Sequence, residues 1–222
     1  MTTSFRLGLA GLLAASMCTP AAAQGYFSQP TGYQAGDLMV HVSLIGVIPE
    51  DLNNAVRVGN TVVPNEHVSV SAGISPEVDA SYFFTPNWSV QVIAATSRHD
   101  VKVTGPVEAK VGSAWVLPPT VTLQYHLPVI DGIRPYAGVG LTVAFFYDQH
   151  AAAGITKFGG LSTGVGPALD AGFDVPISGN WFANVDVKQI FIVTGTHVDN
   201  GLIGAHTELD PTVVGAGVGY LF

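Results

Sequence analysis

The stretch WFANVDVKQIFIVT, residues 181–194, changes character at every second residue. Trp181, Ala183, Val185, Val187, Phe191 and Val193 share one parity, and Asn184, Asp186 and Lys188 share the other. A strand sends alternate residues to opposite faces, so this stretch has one apolar and one polar side. The same alternation recurs in eight segments, each bounded by turn residues. Segment one sets Leu38, Val40, Val42 and Leu44 against His41 and Ser43, and segment two sets Val78, Ala80 and Tyr82 against Glu77, Asp79 and Ser81. Segment eight closes the chain as VVGAGVGYLF, with Val214, Ala216, Val218, Tyr220 and Phe222 opposite a face that is nearly all glycine.

The connections alternate in length. Thr85-Pro86-Asn87, PVIDGI and PISGN are short; the stretches near 46–67, 104–114, 149–164 and 195–206 are long. Short turns at one end and long loops at the other are the pattern of a barrel in the bacterial outer membrane. Hydrocarbon leaves no partner for an unpaired backbone group, so a membrane sheet must close. The expected fold is therefore all-β, an eight-stranded antiparallel up-and-down transmembrane β-barrel. A soluble eight-stranded barrel would show the same alternation with a charged exterior. Only 11% of these residues are charged, and mean hydropathy is +0.39. That is well short of what a water-facing surface carries.

Residues 1–23 read as a secretory leader, with Arg6, the apolar run LGLAGLLAASM and AAA before Gln24. Met17 precedes Cys18, where a lipid-anchor signal needs a small residue. Cleavage after Ala23 leaves 24–222 as a single barrel domain with long extracellular loops. It also removes the single cysteine, so no disulfide is available. Losing Arg6 takes the net charge from −8 to −9, which argues against nucleic acid as a partner.

With the apolar parity facing lipid, the other parity lines the lumen. It carries His41, Glu77, Asp79, Gln91, Thr122, Gln124, His126, Asp170, Asp174, Asn184, Asp186 and Lys188. Buried charges need partners, so this set is expected to form a polar network that plugs an eight-stranded lumen. Met39, Ile45, Phe146, Ile190 and Ile192 also face inward. They are expected to form an apolar pocket on the loop side, above the polar floor. Trp88, Trp181, Tyr220 and Phe222 cluster at the short-turn end as an aromatic girdle.

Chemistry finds little support. His41-Val-Ser43 and His67-Val-Ser69 place a histidine two residues from a serine, but a nucleophile needs a base that a third group orients. Polar lining explains these pairs better. No cysteine–histidine or HxxxH spacing suggests a metal, and Asp199, Glu208 and Asp210 lack the spacing of a calcium loop. No cofactor and no enzymatic activity is expected.

Several stretches carry a resemblance: AGDLMVHV at 35–42, IAATSRHDV at 93–101, LPPTVTLQY at 117–125, RPYAGVGLTVAFF at 134–146 and LDPTVVGAGVGYLF at 209–222. In this order they resemble the OmpW family of eight-stranded outer-membrane barrels. The resemblance implies a narrow barrel in outer-membrane lipid with an apolar pocket open to the outside. It implies passive uptake of small hydrophobic solutes, which leave through a lateral gap into the membrane. The terminal Phe222 resembles the signal read by the outer-membrane assembly machinery. Pro118, Pro119, Pro135, Pro167 and Pro211 lie within expected strands and are candidates for breaking the wall. A structural or adhesive barrel with partner-binding loops, and a lipid-modifying hydrolase, stand as alternative readings.

Overall fold

The structure is a computed structural model. It describes residues 32–222 apart from 53–54, 59–60, 107, 153–157 and 199–202, so the leader lies outside the described residues. In chain order the strands are β1 (Leu38–Ile48), β2 (Asp51–Leu52), β3 (Ala55–Val58), β4 (Thr61–Val70), β5 (Gly73–Thr85), β6 (Trp88–Ala95), β7 (Ser97–Thr104), β8 (Ala109–Leu117), β9 (Thr120–His126), β10 (Arg134–Ala151), β11 (Phe158–Leu161), β12 (Gly164–Ser178), β13 (Trp181–Ile190), β14 (Ile192–Val198), β15 (Ile203–Leu209) and β16 (Thr212–Leu221).

Eight of them close a ring in the order β1, β5, β6, β9, β10, β12, β13, β16 and back to β1, every pair antiparallel. The chain is an eight-stranded β-barrel. Local chemistry explains the tight turns. Asp131 (φ 52°) and Gly132 (φ 83°) both take left-handed backbone between the paired Ile130 and Ile133, as the twist of a two-residue hairpin demands. Thr85 Oγ1 accepts from the Trp88 amide at 3.0 Å in the turn before β6. The last residue is stitched to the first strand, Phe222 N donating to Leu38 O at 2.9 Å.

The two faces differ as alternation requires. Val42 and Leu141 on the outward parity are 55% and 64% exposed; His41 and Asp79 on the inward parity are 3% and 4% exposed. Apolar residues that would be core in water lie outside, and charges lie within.

The long connections differ from the irregular loops expected. They are strands: β4 pairs with β7, β8 with the upper part of β10, β11 with β14, and β15 with β3. The wall therefore continues above the ring as a second tier. In sequence these stretches lack a steady apolar alternation, which hid the tier from a reading based on hydrophobicity. The prolines are also placed differently. Pro135 and Pro167 lie inside β10 and β12, but Pro118, Pro119 and Pro211 lie at joints between strands. Without an N–H, proline ends a ladder more readily than it sits within one.

The bare face of the closing strand follows from crowding. A Cβ on Gly217 would run into Ser43 and the Val42 carbonyl, and one on Gly166 into the Phe191 carbonyl. A backbone oxygen cannot swing aside as a side chain can. Gly166→Ala is expected to destabilise the barrel by about 1–3 kcal/mol, read as a lowered urea midpoint. Gly46→Ala, whose nearest neighbour would be 4.0 Å away, is expected to leave the midpoint in place.

Candidate functional site

At the short-turn end the lumen is stoppered. The segment before β1 inserts Tyr33, which stacks on Phe83 with ring centroids 4.1 Å apart, beside Phe182, Met39 and Leu221. Arg134 lies over the Tyr33 and Phe182 rings at 4.7 and 5.1 Å. A guanidinium can be buried against aromatic faces because their quadrupole attracts the cation. Met39 is a correction: it belongs to this stopper and not to the loop-side pocket. It shares a face with Ile45 but starts the strand, about 20 Å away along it at the usual strand rise and so well below. Parity assigns a face and says nothing of height.

Above the stopper lies a polar network. His41 bridges two carboxylates, Nδ1 donating to Asp79 at 2.8 Å and Nε2 to Asp174 at 3.2 Å. Asp174 also accepts from Tyr33 Oη at 2.7 Å and Asn184 Nδ2 at 2.8 Å. Gln91 Nε2 donates to Asp79 at 2.8 Å, and Gln124 Nε2 to Gln91 at 2.8 Å and to Asp170. Thr122 donates to Gln91 at 3.2 Å, and His126 meets Ser89 at 2.9 Å. At the top, Lys188 reaches across the lumen to Glu77 at 2.7 Å and bonds Asp186 on its own strand. The twelve inward polar residues thus form two bonded groups, Glu77, Asp186 and Lys188 above and the other nine below, with His126 joined through Ser89.

An apolar cavity lies on that layer. Ile45, Val47, Phe146, Ile190, Ile192 and Val213 line it, with Ile93 and Val116, while Glu77 and Lys188 form its floor. It rises between the second-tier hairpins at Val70, Val101 and Ala114. Ile45, Ile190 and Ile192 pack as one cluster with Phe146 against it. The wall has one polar notch. Ser97 Oγ donates to His99 Nε2 at 2.7 Å, and His99 Nδ1 donates to the Ser71 carbonyl at 2.7 Å.

Sequence reading missed Arg134, Tyr33, Ser97 and His99. Arg134 shares the parity of inward Tyr136, which was the available signal. Tyr33 precedes the first strand, so no periodicity reaches it. The His41-x-Ser43 pair shares a face without forming a dyad, because both ring nitrogens of His41 are committed to carboxylates and Ser43 Oγ has no hydrogen-bond partner. The side chain of His67 lies outside what the structure describes. The girdle residues form edge-to-face pairs at the short-turn rim: Trp88 with Tyr125 at 4.9 Å, Trp181 with Tyr220 at 5.0 Å, and Tyr220 with Phe222 at 4.7 Å. Such pairs suit a headgroup boundary, where one edge of a ring is wet.

Known proteins are similar to this chain in sequence and in fold. An uncharacterized outer-membrane protein of Sinorhizobium fredii, y4mB, is 38% identical over 186 residues, covering 82% of this chain and 79% of that one. The dibenzothiophene metabolism operon protein PahQ of Pseudomonas aeruginosa is 24% identical over 180 residues, covering 78% of this chain and 82% of its own. The crystal structure of the outer membrane protein OprG from P. aeruginosa superposes with a TM-score of 0.80 at 25% identity, covering 87% of this chain and 99% of that one. The OmpW family model matches residues 34–222. This chain therefore belongs to the OmpW family of outer-membrane β-barrel proteins.

Proposed function

We propose that this barrel takes small hydrophobic molecules from outside the cell into the outer membrane by passive diffusion, without chemistry. The observation that carries the reading is the apolar cavity above the Glu77–Lys188 floor. An uncharged solute gains by leaving water for such a lining, at roughly 25 cal/mol per Å² buried. The polar network and the Tyr33 stopper leave no straight path below the cavity, so a solute leaves sideways. Pro49, Pro118 and Pro211 line the cavity at joints between the ring and the upper hairpins. Those are the weak points for a lateral exit, because proline gives the ladder no donor. The name of PahQ, which ties that relative to dibenzothiophene metabolism, fits an apolar aromatic cargo. The commitment of His41 to two carboxylates speaks against hydrolysis at Ser43. Phe222 serves, in the same reading, as the mark for the outer-membrane assembly machinery.

The test is uptake of naphthalene into vesicles holding the refolded protein. Uptake above protein-free vesicles is expected. Ile190→Asp and Phe146→Asp, each placing a charge in the cavity, are expected to slow it at least about tenfold, the equivalent of roughly 1.4 kcal/mol. A rate equal to empty vesicles, or one unchanged in both variants, would remove the cavity from the route.

A further inference from the structure

The chain holds eight lysines and arginines against sixteen acids. Arg134 and Lys188 are buried in the lumen. Among the described side chains the other three cations, Arg98, Lys102 and Lys110, all stand on the outer face of one second-tier hairpin, β7–β8. Among the described side chains, the outward positive charge of this acidic protein lies in one place.

Height gives that place a meaning. Directly below it, the outer wall of β9 carries Val121 and Leu123, both well exposed. Next come Leu117 and then Trp115, which stacks on Tyr147 of β10 with centroids 6.3 Å apart. Arg98 pairs with Trp115 in the β7–β8 ladder. The cations therefore begin where the apolar wall and its upper aromatic belt end, at the level of lipid headgroups on the long-hairpin side.

The local geometry is also unbalanced. Lys102 and Lys110 face each other as direct cross-strand partners, a like-charged pairing that weakens a ladder. Lys110 Nζ forms an ion pair with Asp100 at 2.9 Å. That bond, followed by the attraction of Arg98 and Lys102, holds the Asp100 carboxyl below its ordinary range. Beside the hairpin the β8–β10 ladder slips between Tyr147 and His150, and Asp148 takes a left-handed φ of 48°. The slip opens an outward groove lined by Arg98, Lys110, Ser113, Trp115, Asp148 and His150. Arg98 Nη2 donates to Ser113 Oγ at 3.1 Å across its floor. Asp100, Glu108 before β8, Tyr147, Asp148 and His150 are the other titratable groups described around this face.

We propose that the outer face of β7–β8, centred on Arg98, Lys102 and Lys110, binds the phosphorylated headgroup of an outer-leaflet glycolipid. A phosphate supplies an anion that can bridge Arg98 and Lys102 while Asp100 stays on Lys110. It relieves the Lys102–Lys110 repulsion and offers oxygens to the Arg98 fork. Basic clusters flanking a membrane-embedded wall hold anionic lipids in this way. The groove floor at Trp115 gives the sugar ring an apolar surface to rest on. This site is separate from the cavity and takes its lipid from the side.

The test uses the full barrel in nanodiscs, titrated with lipopolysaccharide and with the same lipid stripped of its phosphates. Binding of the phosphorylated form at least about tenfold tighter is expected, and raising salt from about 0.05 to 0.5 M should erode that preference. The variant R98Q/K102Q/K110Q should lose the preference, while K102R should keep it, which separates charge from folding. Equal binding of the two lipids, or an undiminished preference in the triple variant, overturns the proposal. So does a preference that a soluble acidic polysaccharide matches without any lipid, which would make the face a docking site for an external polyanion.

Discussion

Replacing Lys188 with methionine is expected to destabilise the folded barrel by about 3–5 kcal/mol. The residue is 5% exposed, and its ammonium lies between Glu77 and Asp186. Methionine fills a similar volume, so packing is nearly kept and the loss is electrostatic. Two carboxylates are left without their cation in a place where water cannot reach them freely. Removing the acids as well should reverse the effect. A variant with Glu77→Leu, Asp186→Leu and Lys188→Met is expected to be as stable as the wild type or more so by up to about 4 kcal/mol, since apolar residues can replace a buried ionic group. Urea unfolding followed by tryptophan fluorescence in detergent micelles measures both. A single-variant loss under about 0.5 kcal/mol would mean that the lysine is not what balances these carboxylates.

Leu141→Arg is expected to cost about 2–4 kcal/mol in a lipid bilayer. Leu141 is 64% exposed and lies midway along the membrane part of β10, opposite Val121 on β9 and Pro167 on β12. On a water-facing surface a change at so exposed a position falls within about 0.5 kcal/mol. Here the solvent is hydrocarbon and a guanidinium cannot be hydrated in it. Ser178→Arg, exposed beside the short turn before β13, supplies the control with no expected loss. Equilibrium unfolding into lipid vesicles reads the difference. A near-neutral result at Leu141 would place that face in water.

These two substitutions sit on opposite faces of the same wall, and the sequence states which face each occupies. Asn184, Asp186 and Lys188 alternate with Val185 and Val187, and the structure buries the first set and exposes the second. The eight ring strands were legible for the same reason. So were the short turns, because Asp131-Gly132 can hardly do anything else. The site was legible only in part. His41, Asp79 and Asp174 could be set on the lumen face, but nothing local says that one imidazole bridges the two acids. Parity offers Lys188 a partner in Asp170 or Asp186 and gives Glu77 or Asp79 a histidine; Asp186 does bond the lysine and Asp79 the histidine, but Glu77, 111 residues away, meets Lys188 across the lumen. Met39 shows the limit, since its face was readable and its height was not.

Which face a residue takes is a property of the strand pleat, repeated every two residues and independent of the rest of the chain. The sequence therefore determined the strands, their lipid and lumen sides, the tight turns and the membrane as solvent. Which residues share a layer depends on the stagger with which eight strands close, a quantity defined only for the finished ring. The second tier, the Tyr33 stopper, the Lys188 bridge and the cavity above it all depend on that stagger, so only the tertiary structure decided them.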